Sequence, residues 1–254
     1  MPLHFPLSFT IGSIVIPVHA ACEWLGIFIA FRYYLWLKRR QGDVIEQDNR
    51  LAATTAAIMG SVVGAHLLGA LENLPEWMTY RSFWQYLYGN KTVLGGLLGG
   101  LLFVEAAKKL VGEKQHTGDL YTFPLILGMM IGRLGCFSMG IYEQTYGLTT
   151  RMPWGINLGD GLYRHPVALY EVLALAVLWL WLAIIRKKYM LVQGALFKIF
   201  MIAYCFFRLM LDVIKPGWRF LAGMGTIQFA SLAGLLYYRK YIINPRLLIQ
   251  PYAR

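Results

Sequence analysis

The stretch that decides the fold is VALYEVLALAVLWLWLAIIRKK, residues 167–188. Residues 167–185 are apolar apart from a few side chains, and three cations follow them directly. A helix needs about 20 apolar residues to cross a hydrocarbon core about 30 Å thick. The stretch therefore predicts a transmembrane helix. Lys and Arg at its end are typical of the cytoplasmic side of a membrane.

Similar apolar stretches occur along the rest of the chain. Together they give seven predicted spans, at 14–37, 51–74, 92–111, 121–140, 167–185, 193–214 and 221–238. The longest gap between two spans, 141–166, is too short for a separate soluble domain. The sequence thus predicts an all-α integral membrane protein with about seven transmembrane helices. We expect a single transmembrane domain over 1–254, with an extracytoplasmic loop segment at 141–166.

Composition and charge fit a membrane protein better than a soluble one. Hydrophobic residues make up 57% of the 254 residues and charged residues 15%, with a mean hydropathy of +0.50; soluble domains carry about 25% charged residues. The net charge of +11 would suggest nucleic acid in a soluble protein. However, 14 of the 24 Lys and Arg residues lie in loops on one side of the predicted spans and 6 on the other. This bias places the N-terminus outside and the C-terminus in the cytoplasm, and it requires no nucleic-acid partner.

Two arginines within predicted spans are candidate site residues, because an ionisable side chain at membrane depth costs several kcal/mol unless it is paired or faces water. Arg133 lies in MIGRLGCF and Arg208 in AYCFFRLMLD. Tyr204, Arg208 and Asp212 follow one another at four-residue spacing, which places them on one helix face. The alternative is an internal Arg208–Asp212 ion pair that only stabilises the helix.

The 141–166 segment concentrates further polar chemistry. It is rich in Gly, Pro and aromatic residues, and its charged or titratable members include Glu143, Arg151, Asp160, Arg164 and His165. The Arg-His-Pro sequence at 164–166 comes directly before the fifth predicted span. An arginine next to a helix N-terminus favours phosphate binding. An ordinary solvated loop is the alternative.

The histidines and cysteines give weaker signals. His19 and Glu23 stand one helical turn apart in the first predicted span, as a site or as a structural pair. Cys22, Cys136 and Cys205 lie singly in apolar runs, which is typical of buried free thiols. No two histidines stand at zinc-ligand spacing, so the sequence predicts no metal site.

Four short motifs occur in order: GRLGCF…GLTTRMPWGI, then RHPVALYE, then AYCFFR…D, then MGTIQ. Their order and spacing, over roughly residues 90–230, resemble the phosphatidylglycerol–prolipoprotein diacylglyceryl transferase family. The resemblance implies an enzyme of the plasma (inner) membrane that moves diacylglycerol from phosphatidylglycerol to the lipobox cysteine thiol of a prolipoprotein. Glycerol phosphate is the leaving group. It further implies phosphatidylglycerol, a prolipoprotein signal peptide and membrane lipid as partners, and no metal or organic cofactor.

The resemblance also implies roles for individual residues. Arg133 matches the arginine of the family's GR-x-x-N-F signature, Tyr204 and Arg208 match its Tyr-x-x-x-Arg pair, and Arg164 and His165 match its Arg-His-Pro. The implied catalytic set is Arg133, Tyr204, Arg208, His165 and Glu143. The implied substrate-binding set is Arg133, Arg164, Arg208, Gly95, Gly96 and Gly147.

The sequence departs from the family pattern at several positions. Leu94 stands where the family has the histidine of His-Gly-Gly, Cys136 replaces the signature asparagine, and Asp212 stands where a Glu is usual. The stretch from Gly140 to Gly147 is about three residues longer than the family's, which separates Glu143 from the family's glutamate. The general base is therefore open: it is His165, Glu143 or His19, or the arginines alone activate the thiol.

Two other functions are compatible with such a chain. One is a related lipid-binding or lipid-modifying membrane protein whose transferase activity is altered or lost. The other is a small-molecule transporter. Transporters often contain paired repeats with broken helices at the bilayer midplane. The seven predicted spans show no repeat, and their candidate residues group toward one side.

Overall fold

The computed structural model describes residues 4–72 and 74–250. Arg254, which was counted among the cytoplasmic cations, and residue 73 of the second predicted span lie outside these ranges. Within these ranges the chain divides into two compact units, one formed mainly by residues 4–42 and 120–190 and the other mainly by 43–72, 74–119, 191–212 and 217–250. The short segment 213–216 belongs to the first unit.

The first unit begins with a β-hairpin. Strands β1 (Ser8–Ile11) and β2 (Ile14–Pro17) are antiparallel, and Ile11 pairs with Ile14 across a two-residue turn. Gly12 takes a positive φ of 62° at the first turn position, a conformation that favours glycine. The predicted start of the first span at residue 14 is therefore wrong. Residues 14–17 form a strand because the β-branched side chains of Ile14, Val15 and Ile16 suit extended backbone, and helix α1 begins only at Val18.

Three long helices follow in the first unit: α1 (Val18–Gln41), α5 (Asp119–Met139) and α6 (Val167–Lys188). Gly26 of α1 faces the backbone of Gly128 in α5, where a Cβ atom would lie 3.1 Å from the Gly128 oxygen. The rings of Tyr34 and Tyr121 stack at 4.8 Å between centroids, and Tyr33 stacks on Trp179 of α6 at 5.7 Å. A small residue at one contact and aromatic rings at the others thus hold the three helices together.

The segment between α5 and α6 is more ordered than the loop that we predicted. A 3₁₀ turn at Gly140–Tyr142 is followed by strands β3 (Ile156–Asn157) and β4 (Tyr163–Arg164), which pair antiparallel. Thr149 forms a further bridge to Arg164. These pairings fix the backbone of the residues that carry the candidate chemistry.

The second unit is also helical. Its helices are α2 (Gln47–Glu72), α3 (Phe83–Gly89), α4 (Val93–Leu110), α7 (Ala195–Leu211), α8 (Thr226–Tyr237) and α9 (Arg239–Ile243), with 3₁₀ turns at Leu74–Thr79 and Pro245–Leu248. A further 3₁₀ turn, Asp212–Ile214, begins at the last residue of its 191–212 segment. Helices α2 and α4 cross at glycines. A Cβ atom on Gly64 or Gly95 would collide with the backbone of the facing helix. Small residues at such crossings are typical of helix packing in lipid.

Each of the seven predicted spans contains a helix, but the helices differ in length. Among the described residues, three helices are able to cross a membrane by length and composition: Gln47–Glu72, Asp119–Tyr142 and Val167–Lys188, with mean hydropathies of 1.6, 1.5 and 2.3. Helix α8 has 12 residues and covers about 18 Å. The membrane character is therefore supported. The count of seven spans and the orientation of the termini stay predictions.

Many large apolar side chains of the described residues are exposed on the helices, which is expected of surfaces that face lipid tails. On α1, Trp24 is 75% exposed, Ile27 66% and Phe28 62%. Exposed apolar patches of this extent are unusual on soluble monomers.

Candidate functional site

The site residues of the first unit centre on an ion pair between α5 and α6. Arg133 is 8% exposed and Glu171 1% exposed. The Nε atom of Arg133 lies 2.9 Å from Oε1 of Glu171. Charges this deeply buried are stable only when they are paired. Glu171 therefore fixes both the charge and the orientation of the predicted Arg133 guanidinium.

A thiol, an imidazole and a second carboxylate lie next to this pair. Nη1 of Arg133 donates to Sγ of Cys136 at 3.8 Å, and the Cys136 thiol contacts Oε1 of Glu143 at 3.6 Å. Nδ1 of His19 lies 3.3 Å from Oε2 of Glu143. We call His19, Cys136 and Glu143 the thiol cluster. The structure thus brings Arg133 and Glu143 of the predicted catalytic set together, through a cysteine that the sequence indicated only as a buried thiol.

Arg164 is held by the loop that precedes it. Its Nε and Nη2 atoms each lie 2.7 Å from Oδ2 of Asp160, and its guanidinium stands 5.1 Å from the ring centroid of Tyr146. The hydrogen bond from Arg164 lowers the pKa of the Asp160 carboxyl below its usual value. Arg164 also reaches the backbone oxygen of Gly147 at 3.5 Å. The predicted residues Gly147 and Arg164 therefore lie side by side.

His165 is positioned by both its backbone and its ring. Its backbone N–H donates to Leu148 at 3.0 Å, and its carbonyl accepts the N–H of Gly147 at 3.0 Å. Nδ1 of the ring lies 3.0 Å from the hydroxyl of Tyr170, one turn into α6. A Cβ atom on Gly147 would lie 2.6 Å from Cβ of His165, so only glycine allows this approach. The role of Gly147 is thus to leave room for His165 at this position.

In the second unit, α7 carries the predicted Tyr204 and Arg208. The two side chains are 1% and 4% exposed, and the ring of Tyr204 stacks on Phe200 at 6.0 Å. Asp212 begins the 3₁₀ turn after α7 and is 6% exposed. Oδ2 of Asp212 lies 3.9 Å from Nη1 of Arg219. Asp212 therefore has an ionic contact with Arg219, which the four-residue spacing on α7 did not predict.

Arg219 connects Asp212 to the start of α8. Its Nη1 atom donates to Oε1 of Gln228 at 2.8 Å, and Gln228, which is 5% exposed, accepts the backbone N–H of Gly225 at 3.1 Å. Gln228 is the glutamine of the MGTIQ motif. The last two motifs of the sequence thus meet through this arginine.

Gly95 and Gly96 lie in the first turn of α4, after Thr92, whose hydroxyl accepts the Gly95 N–H at 3.2 Å. Gly95 is buried in the crossing with α2. Gly96 has more room, since a Cβ atom there would lie no closer than 3.5 Å to the Ser61 oxygen. Gly95 therefore has a packing role of its own, and the binding role of both glycines stays a prediction.

The predicted set is thus divided among several places. Arg133 and Glu143 meet at the thiol cluster, and Gly147, Arg164 and His165 form a second group in the same unit. Tyr204, Arg208, Gly95 and Gly96 belong to the other unit. Glu171 was missed as a partner of Arg133. Its signal was the presence of a lone carboxylate in an otherwise apolar helix.

Comparison with known proteins agrees with the motif resemblance. Residues 6–243 match the prolipoprotein diacylglyceryl transferase family. Relatives named phosphatidylglycerol–prolipoprotein diacylglyceryl transferase include those of Thermotoga maritima (25% identity, 90% of this chain and 80% of the relative) and Finegoldia magna (25%, 94% and 97%). That of Solidesulfovibrio magneticus is 31% identical over 84% of this chain and 82% of its own length. The predicted resemblance is confirmed, and the chain belongs to the prolipoprotein diacylglyceryl transferase family.

Proposed function

We propose that this protein transfers the diacylglyceryl group of phosphatidylglycerol to the lipobox cysteine thiol of a prolipoprotein, in lipoprotein biosynthesis. The family match over residues 6–243 carries the proposal. The relatives named above cover most of this chain and are matched over most of their own lengths.

The arginines are assigned to the phosphate chemistry of the reaction. The substrate thiolate attacks the glycerol carbon that bears the phosphate, a sulfur–carbon bond forms, and the carbon–oxygen bond breaks. The electron pair leaves with glycerol phosphate, so negative charge grows on the phosphate oxygen. Arg133, Arg164 and Arg208 supply planar guanidinium groups suited to that charge. Tyr204, four residues before Arg208, supplies a hydroxyl that orients the phosphate.

The substrate thiol must lose its proton, because the thiolate is the nucleophile. His165 and Glu143 are the side chains that we propose as proton acceptors. His165 is oriented by the Tyr170 hydroxyl at 3.0 Å, and Glu143 contacts the imidazole of His19 at 3.3 Å. The reaction itself uses no redox step.

The glycines have a supporting role in this proposal. Gly147 allows His165 and Arg164 to approach the backbone before β4, as the short Cβ distance indicates. Gly95 packs against α2 and so positions the start of α4. Gly96, which has more room, leaves the backbone there open to a lipid group.

We propose the inner membrane as the location, with the whole chain as one transmembrane domain of seven spans. The N-terminus lies outside and the C-terminus in the cytoplasm, as the 14-to-6 division of loop Lys and Arg favours. The 141–166 segment then lies on the outer side, where the signal peptide of a secreted prolipoprotein is accessible.

The test is reconstitution of the purified full-length protein with phosphatidylglycerol and a lipobox peptide. We expect release of glycerol phosphate and a peptide heavier by one diacylglyceryl group. Arg133→Ala and Arg208→Ala should each lower the rate about 100- to 1,000-fold, which is typical of removing one donor that stabilises developing charge. Arg39→Ala, at an exposed position near the end of α1, is the matched control and should leave the rate unchanged.

Other results would contradict the proposal. Absence of product under conditions where an established transferase is active would favour the relative with lost activity. Flux of a small molecule across liposomes without a covalent product would favour the transporter.

A further inference from the structure

The thiol cluster offers three metal-ligating atoms from three separate segments. They are Nδ1 of His19 at the start of α1, Sγ of Cys136 near the end of α5 and a carboxylate oxygen of Glu143 after the 3₁₀ turn. All three lie within 4.8 Å of one another, and all three residues are half-buried. The proposed function uses only Glu143 of the three.

The separations match those of a tetrahedral cation site. Zinc binds nitrogen and oxygen at about 2.0 Å and sulfur at about 2.3 Å, so neighbouring ligands of a tetrahedron stand about 3.3 Å (N to O) and about 3.5 Å (S to O) apart. The observed separations are 3.3 Å between His19 Nδ1 and Glu143 Oε2, and 3.6 Å between Cys136 Sγ and Glu143 Oε1. These two separations run to different oxygens of Glu143. A rotation of the carboxylate would bring one oxygen near both partners, since the three ligand atoms lie within 4.8 Å of one another.

Two buried atoms of the cluster face each other without a hydrogen bond. Nδ1 of His19 and Oε2 of Glu143 are buried, and neither makes a hydrogen bond, although they lie 3.3 Å apart. A buried polar atom without a hydrogen bond costs about 1–3 kcal/mol. A cation between these atoms would satisfy both of them.

The surroundings of His19 resemble those of a metal ligand. Its other ring nitrogen, Nε2, lies 3.4 Å from Oε1 of Glu23, one helical turn further along α1. A histidine that binds a metal through one nitrogen usually donates the other N–H to a carboxylate or carbonyl, which fixes its tautomer. Glu23 stands in that position.

The charges also balance. A divalent cation is neutralised by the Cys136 thiolate and the Glu143 carboxylate. The nearby positive charge of Arg133 is already matched by Glu171 at 2.9 Å. The remaining negative charge, that of Glu23 beside His19, belongs to a side chain that is 40% exposed.

We propose that His19, Cys136 and Glu143 bind a divalent cation of the zinc class and leave the fourth coordination position for the thiol of the acceptor peptide. Mixed sulfur, nitrogen and oxygen ligands suit zinc, and three protein ligands with one open position are typical of catalytic sites. The role in the reaction rests on the proposed function. In this role Glu143 is a ligand, and His165 remains the proposed proton acceptor. The ion would make the acceptor thiol easier to deprotonate, and its thiolate would attack the glycerol carbon as glycerol phosphate leaves. The ion would supply the activation for which the family's His-Gly-Gly histidine is replaced by Leu94.

Metal binding is tested on the purified full-length protein with Zn²⁺ and Co²⁺ alone. We expect one tightly bound ion per chain and, with Co²⁺, a sulfur-to-cobalt charge-transfer absorption. Cys136→Ser should abolish this absorption, whereas Cys205→Ser, at a buried cysteine of α7, should retain it. Glu23→Gln, which keeps the three ligands, should weaken the affinity about 10- to 100-fold. Absorption that survives Cys136→Ser, or no bound ion, would overturn the site.

Glu143→Gln is the second variant if Cys136→Ser fails to fold, since it keeps the size of the side chain and removes a ligand charge. It should lower Co²⁺ affinity at least as much as Glu23→Gln does. Equal affinity for Glu143→Gln and the unsubstituted protein would contradict the site.

The role in the reaction is tested separately, by removing the ion with a chelator. Transferase activity should fall and should return when Zn²⁺ is added back. Activity that is insensitive to both the chelator and Cys136→Ser would overturn this role. Bound metal without any transferase activity would instead contradict the proposed function and leave the metal site standing.

Discussion

Arg133 and Glu171 form a buried ion pair, with 2.9 Å between Nε and Oε1, and Glu171 is the less exposed of the two. Their positions on α5 and α6 mean that one contact both joins two long helices and orients a guanidinium toward the thiol cluster. Stability and activity should therefore respond to the same substitution.

Glu171→Gln should destabilise the protein by about 3–5 kcal/mol, because removal of one partner leaves a buried charge without compensation. Thermal unfolding in detergent measures the loss. Glu46→Gln is the control, since Glu46 is exposed. If both variants unfold at the temperature of the unsubstituted protein, the Arg133–Glu171 ion pair does not stabilise the contact between α5 and α6.

The contact between Asp160 and Arg164 should weaken in acid. Arg164 lowers the pKa of Asp160 in the folded protein, so the contact contributes stability above the unfolded value of about 3.9. That contribution is lost as the pH falls through the lower, folded value. The protection of the amides of residues 160–164 against hydrogen exchange, relative to the intrinsic exchange rate at each pH, should therefore fall in acid. Asp160→Asn should remove this pH dependence, and an unchanged dependence would contradict the assignment.

Adjacent glycines of α4 should respond differently to alanine. Gly95→Ala should lower the free energy of unfolding by about 1–3 kcal/mol, because the Cβ atom of the alanine collides with the backbone of Gly64. Gly96→Ala should be neutral or stabilising by up to about 1 kcal/mol, because alanine favours helices and the position has room. Thermal unfolding compares the two variants. Equal losses of stability would contradict the packing of Gly95, but not Gly96, against α2.

Gly96→Ala also tests the binding role of this turn. If lipid lies against the backbone there, the KM for phosphatidylglycerol should rise while the unfolding temperature is preserved. An unchanged KM would remove Gly96 from the substrate-binding set.

The proton acceptor can be identified by comparing His165→Ala with Glu143→Gln, both assayed with saturating Zn²⁺ so that weaker metal binding does not account for lost activity. A general base contributes about 100- to 10,000-fold to a rate, so the variant that removes it should lose activity in that range. Tyr170→Phe keeps the His165 imidazole and removes only the hydroxyl 3.0 Å from its Nδ1 atom. It should therefore lower the transferase rate less than His165→Ala does. Full transferase activity in both His165→Ala and Glu143→Gln would exclude a side-chain base at these positions.

The helices were predictable from the sequence, but their ends were less so. Hydropathy located a helix in every predicted span because long apolar runs are a strong local signal. It failed at residues 14–17, since an apolar run of β-branched residues has the same hydropathy in a strand as in a helix. The last predicted span began at 221, whereas α8 begins at Thr226.

The candidate site was less predictable than the fold. Arg133 was identifiable because a charge in an apolar run is conspicuous. Its partner Glu171 and the contact of Asp212 with Arg219 were not, because local spacing carries no information on pairs that the tertiary structure brings together. The thiol cluster is the strongest example, since its three residues come from three segments and match no sequence motif for metal binding.

The residue before the N-terminal hairpin is hydrogen-bonded to a part of the chain that is synthesised much later. The N–H of Leu7 donates to the carbonyl of Ser138 at 2.8 Å, and the N–H of Val18, at the start of α1, donates to Leu7 at 3.0 Å. During synthesis, residue 138 leaves the ribosome long after residues 7–18. The hydrogen bond between Leu7 and Ser138 can therefore form only after α5 has been made, and the order of translation delays completion of this end of the unit.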